Sequence, residues 1–171
     1  MPSIHLVYSN SKAPLSPVIR WRTGSEFSHV GIILASHSDD IDDLSIVSHS
    51  ALSCKGVRFT TLKTFLSHAT EHRITRLEYE VTEEQFDKLI AIVHWYEGLP
   101  YDLKGAVGLG VGENWQDDDA FWCSEWVAFV LKSIGMDLKY LDDVHRIAPK
   151  HNLEWQQTTL NNLNLKDKDY A

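Results

Sequence analysis

The side chains in this 171-residue chain with the chemistry of a nucleophile and its base are two cysteines and nine histidines. A thiol attacks as the thiolate, so it needs a neighbouring base or a site that lowers its pKa. Cys123 stands in DDDAFWCSEWVAFVLKSIG, residues 117–135. The spacing predicts a helix over 119–134, with Asp117, Asp118 and Asp119 as cap residues and Gly135 as the stop. Trp126, Val127, Val130, Leu131 and Ile134 make one apolar face, and Cys123 begins it in the first turn. There the free N–H groups and the helix dipole favour a thiolate. Read alone, the stretch favours a small buried core residue, because free cysteine is among the most buried residue types. A base elsewhere in the chain has to decide.

Two histidines stand apart from the other seven. His29 heads an otherwise apolar run, FSHVGIIL, where a titratable ring loses hydration unless it has a partner. His49 lies in LSIVSHSA, on the next expected strand, so the two rings can meet with one orienting the other. His94 reads as a boundary residue of a helix. His145 and His151 lack metal-ligand spacing with acids or thiols, and no metal or cofactor is expected.

The elements that must hold these residues follow from pattern. Strands are expected over 4–8, 27–34, 44–51, 57–61 and 73–81, with a turn at Lys55-Gly56. Helices are expected over 14–22, over one or two turns of 61–68 and, most clearly, over 82–98. In the last, Thr82 and Gln85 form a capping-box pattern. Residues 101–114 read as a loop or loose helix; their GLGVG lacks the GK[ST] of a phosphate cradle. A short helix is expected near 153–159 and a frayed tail over 161–171. Strands first and helices later make an α+β fold, a single domain over 1–171.

Net charge is −8, with 24 acidic against 16 basic residues, which argues against a nucleic-acid binder, since such proteins normally carry a basic stripe. No run approaches 18 apolar residues, and the N-terminus has no secretory pattern. The chain is therefore expected to be cytoplasmic as synthesised, with free thiols and export only by another route.

FSHVGIIL, GVRFTTLKTFL, YDLKG and FWCSEWVAFVL together resemble the circularly permuted NlpC-like papain-fold hydrolases. That is the branch with the YiiX-like proteins and, more distantly, lecithin:retinol acyltransferase. The resemblance spans about residues 16–134. It implies a permuted papain-like fold, an antiparallel sheet against helices, with Cys123 as nucleophile and His29 as general base. The orienting residue falls on the strand after the histidine strand; His49 is the choice, with Ser48 and Ser50 as alternatives one residue away. Tyr101 matches a tyrosine ahead of the cysteine helix that either donates to an oxyanion or only packs. Ser50 and Trp122 join it as substrate or oxyanion candidates, and Glu125, the acid of C-S-E, is expected to be structural.

The implied chemistry is acyl transfer through a thioester. A peptidoglycan-type peptide amide in a bacterial or phage protein is the leading substrate, reached with a delivery or lysis partner. An acyl lipid is the alternative, with Trp115, Phe121, Trp122 and Trp126 either flanking an acyl group or forming core. A catalytically silent binding or structural module, and an effector or immunity-type interaction protein, are the competing classes.

Overall fold

The computed structural model describes residues 1–12, 15–77, 79–111, 119–137 and 147–159. Among the described residues six strands form one antiparallel sheet in the order β4-β3-β2-β1-β5-β6. They are β1 (His5–Ser11), β2 (His29–Ile33), β3 (Ile46–Ala51), β4 (Gly56–Thr61), β5 (Ala69–Leu77) and β6 (Gln156–Thr159). The first strand thus lies inside the sheet, between β2 and β5.

Alternation along the strands explains why the sequence runs are nearly all apolar. Leu6, Tyr8, Val30, Ile32, Val57 and Leu77 join one core cluster; Val7, Ile33, Val47 and Ile74 join the other. The central strands β1 and β2 are buried on both faces, so there period-2 patterning gives way to continuous hydrophobicity. The larger cluster is shared with α3 (Glu83–Trp95) and α5 (Cys123–Ser133). The smaller one is capped by Leu62 and Leu66 of the short α2 (Leu62–Leu66) and by Ile41.

The capping box of α3 is present: Gln85 N–H donates to Thr82 Oγ1, and Thr82 N–H donates to the Gln85 side chain, each at 3.1 Å. Leu89 and Val93 are the buried residues of α3. α1 (Leu15–Thr23) and α4 (Leu103–Val111) pack against each other. Within the stretch read as loop or loose helix, Leu103–Val111 is helical, capped by a residue the sequence reading passed over: Asp102 Oδ1 accepts from Gly105 N–H at 2.7 Å.

Three expectations are corrected. The segment 153–159 is not a helix: Pro149 starts α6 (Pro149–Leu153), and Gln156–Thr159 pairs with β5. Pairing with a neighbouring strand overrides a weak local preference there. The cysteine helix begins at Cys123, not near 119. The N-cap residue is Trp122, and Asp119 is exposed ahead of it; Asp117 and Asp118, like Trp115, His145 and 161–171, lie outside the described residues. The helix is capped instead by its own Glu125, which accepts from Trp122 N–H at 3.3 Å. Strand β5 also starts at Ala69, four residues earlier than expected.

Candidate active site

Residues 98–102 and 119–123 bring the helix start to the sheet. Val57 N–H donates to Leu99 O at 2.8 Å and Gly98 N–H to Val57 O at 2.9 Å, fixing the approach to Tyr101 on strand β4. Phe121 N–H donates to Pro100 O at 3.1 Å, and the Ser50 hydroxyl donates to Phe121 O. Trp126, fully buried, donates its indole N–H to Ser48 Oγ at 3.1 Å. These bonds hold α5 over β2 and β3 with Cys123 as its first residue.

Cys123 is buried, and Sγ contacts the Ser28 carbonyl at 3.9 Å. That carbonyl belongs to the residue immediately before His29. Burial pushes the thiol up to about 11, opposed by N–H groups of Val30, Ser124 and Cys123 itself. The backbone of Ser28 is itself pinned. Its N–H donates to Asn10 Oδ1 at 3.0 Å and its hydroxyl pairs with Ser16 Oγ at 2.7 Å. Asn10 in turn donates to Glu26 O at 3.0 Å and to Glu71 Oε2 at 3.2 Å.

The histidines do meet. His29 Nε2 and His49 Nδ1 are 3.0 Å apart, with the rings edge to face. Phe65 stacks on His29 at 5.1 Å and stands edge-on to His49 at 5.0 Å. Gly31 makes this assembly possible: a Cβ there would lie 2.7 Å from Val47 Cγ1 and 3.2 Å from both His49 Cβ and a Phe65 ring carbon. Burial lowers His49 to about 4; burial and then the His49 neighbour lower His29 to about 3. The resting site therefore holds neutral imidazoles and a neutral thiol.

Of the three candidates on β3, His49 is joined to His29, whereas Ser48 and Ser50 turn to the α5 side and serve Trp126 and Phe121. His29 and His49 lie on the α2 side, with Phe65, while Cys123 belongs to the core cluster of the α5 side. Among the described residues no hydrogen bond links Sγ to either ring; its contact is the Ser28 carbonyl beside His29.

Burial, and after it the neighbouring Cys123, Asp102 and Glu125, hold the Tyr101 phenol above the ordinary range. Trp122 is buried and its indole N–H is shared between Ile147 O at 3.0 Å and Ser124 Oγ at 3.1 Å. Phe121 and Trp126 are core, 5.5 Å apart between ring centroids. Glu125 is fully buried and has the structural role expected of it. The described residues bring together no group of three or more His, Cys, Asp or Glu that could hold a metal ion. No helix among them is long and apolar enough to cross a membrane.

Two residues around the site escaped the sequence reading. Asn10 and Thr60, the latter 3.3 Å from His49 Nε2 through its Oγ1, are polar residues in strands, and only strand register reveals their partners.

Comparison with known proteins gives two results. A family model described as a permuted papain-like amidase enzyme, YaeF/YiiX, C92 family, matches residues 5–168. A solved structure described as metalloprotein yiiX from Escherichia coli O157:H7 is similar in fold, with a TM-score of 0.60 and 24% identity over 79% of this chain and 67% of that one. No curated protein matches the chain.

Proposed function

Because the chain belongs to the permuted papain-like amidase family of YaeF and YiiX, C92, and is in that general sense a cysteine-type hydrolase, we propose a Cys123–His29 mechanism for it. Cys123 attacks the carbonyl of a peptide amide, and His29 takes the thiol proton as the bond forms. His29 then returns that proton to the leaving amine, and water resolves the thioester by the reverse route. His49 orients His29. The Cys123 backbone N–H at the start of α5, with the Tyr101 hydroxyl, receives the oxyanion.

One observation carries the reading: a buried thiol at the first residue of α5 presses on the carbonyl beside a histidine whose Nε2 is engaged by a second ring. That engagement leaves His29 Nδ1 as the nitrogen to accept a proton. With thiol and rings neutral at rest, the proton moves with the attack rather than before it. The resting structure keeps His29 on the α2 side of the sheet and Cys123 on the α5 side, so the mechanism requires the two to come within hydrogen-bond reach in the substrate complex. The proposed substrate is a peptidoglycan-type peptide amide, reached through a delivery or lysis partner.

A second reading, an acyl ester, draws on Val18 and Trp21 of α1 and Leu103 and Val107 of α4, large apolar side chains left exposed on two packed helices. The test compares wild type, Cys123→Ala and His29→Gln on peptidoglycan fragments and on p-nitrophenyl acetate. Loss of about 10³-fold or more in both variants is expected on the true substrate class. Equal activity of Cys123→Ala and wild type refutes the nucleophile, and no turnover of either substrate by wild type leaves a silent module.

A further inference from the structure

His49 uses both of its ring nitrogens, and the second contact has consequences for the first. Strand register sets it up: Thr60 pairs with Val47 and Arg58 with His49, so Thr60 stands diagonally across from His49 on the same face of the sheet. Its Oγ1 lies 3.3 Å from His49 Nε2, while His49 Nδ1 lies 3.0 Å from His29 Nε2. The order is thus Thr60, His49, His29 across three adjacent strands.

A neutral imidazole carries one proton, on one nitrogen or the other. With two neutral rings in series, the chain of hydrogen bonds runs in one of two directions. In the first, His29 Nε2–H donates to His49 Nδ1 and His49 Nε2–H donates to Thr60 Oγ1. The hydroxyl of half-buried Thr60 then points its own proton to solvent. Every donor is satisfied and His29 Nδ1 carries a lone pair. In the second, Thr60 donates to His49, His49 Nδ1–H donates to His29, and the His29 proton sits on Nδ1. Among the described residues that N–H has no acceptor, since the His29 ring makes its one hydrogen bond through Nε2. A half-buried donor without a partner costs more than an acceptor without one.

We infer that Thr60 is a positioning residue: by accepting from His49 Nε2 it holds His49 in the Nε2–H tautomer and thereby keeps the proton-accepting lone pair of His29 on Nδ1. This deepens the proposed function and rests on it for its catalytic consequence, not for the tautomer itself. A hydroxyl is suited to the task because it accepts without adding charge to a site where burial disfavours charge.

The experiment uses Thr60→Val, which removes the hydroxyl and keeps the shape, and Thr60→Ser, which restores it. Long-range nitrogen–proton spectra of the full chain labelled with ¹⁵N-histidine read the tautomers directly. Single-turnover acylation of Cys123 by p-nitrophenyl acetate at pH 7 reads the consequence. Wild type and Thr60→Ser are expected to show His49 and His29 both protonated on Nε2. Thr60→Val is expected to show mixed tautomers at both rings and acylation roughly three- to tenfold slower, the selection one hydrogen bond provides. Thermal midpoints of the three proteins should agree. Unchanged tautomers in Thr60→Val, or His49 protonated on Nδ1 in wild type, overturn the assignment. A His29→Gln protein that acylates as fast as wild type overturns the Cys123–His29 reading instead, and the spectra still decide Thr60.

Discussion

Acidification should unfold this protein through its buried histidines. His5 is fully buried, its ring hydrogen-bonded to Ala35 O at 3.2 Å, and burial lowers it to about 4, as it does His49. Both folded values lie below the unfolded value near 6.5, so unfolding takes up protons as the pH drops. Stability is fully present above about pH 6.5 and is lost as the pH falls toward 4. Each ring contributes about 1.4 kcal/mol per pH unit across that window, hence about 2 kcal/mol at pH 5 and about 4 kcal/mol for the two together. His29, lowered by burial and by His49, adds in the same direction, discounted because the ring is half-buried and partly screened. Against a typical total of about 5–15 kcal/mol, a loss of that size is decisive. Urea unfolding followed by the fluorescence of the six tryptophans, at pH 7.5, 6 and 5, measures it. His49→Gln, which keeps an amide at the position, should flatten the slope by one proton. A stability at pH 5 within about 1 kcal/mol of that at pH 7.5 refutes the reasoning.

Two further outcomes follow from the site. A thiol raised to about 11 holds roughly 100-fold less thiolate at neutral pH than an ordinary one. Iodoacetamide labelling at Cys123, read by mass spectrometry, should therefore be slow at pH 7 and climb about tenfold per unit to beyond pH 10; a plateau below pH 8 contradicts a neutral resting thiol. Gly31→Ala should cost about 1–3 kcal/mol, because its methyl meets Val47, His49 and Phe65 together. Its ¹⁵N-histidine spectra should also show the His29–His49 contact disturbed, and a mutant of wild-type stability with unaltered rings would show that the cluster yields freely.

Local chemistry singled out Cys123, His29 and His49 as candidates. A thiol at the head of an apolar helix stripe and a histidine at the head of an apolar strand are anomalies visible without a structure. The strong helix over 83–95 was equally plain, because capping box, apolar period and stop all agree. What escaped depended on partners far along the chain. The acids at 117–119 look like a cap, yet Glu125 inside the helix captures the Trp122 N–H and shifts the start to Cys123. Polar Gln156–Thr159 becomes a strand because β5 offers it an edge. Asn10 and Thr60 read as ordinary strand residues until register sets them against Ser28 and His49.

The order of elements along the chain has a consequence during synthesis. His29, His49, Thr60 and five of the six strands are translated before the first residue of α5. A nascent chain can thus pair its histidines while it still lacks Cys123, the thiol that closes the larger core. Until α5 arrives, the face built from Leu6, Tyr8, Val30 and Ile32 has no helix carrying Trp126, Val127 and Val130 to cover it. The same helix that carries the sulfur covers that face, so the thiol reaches its place in the step that buries it.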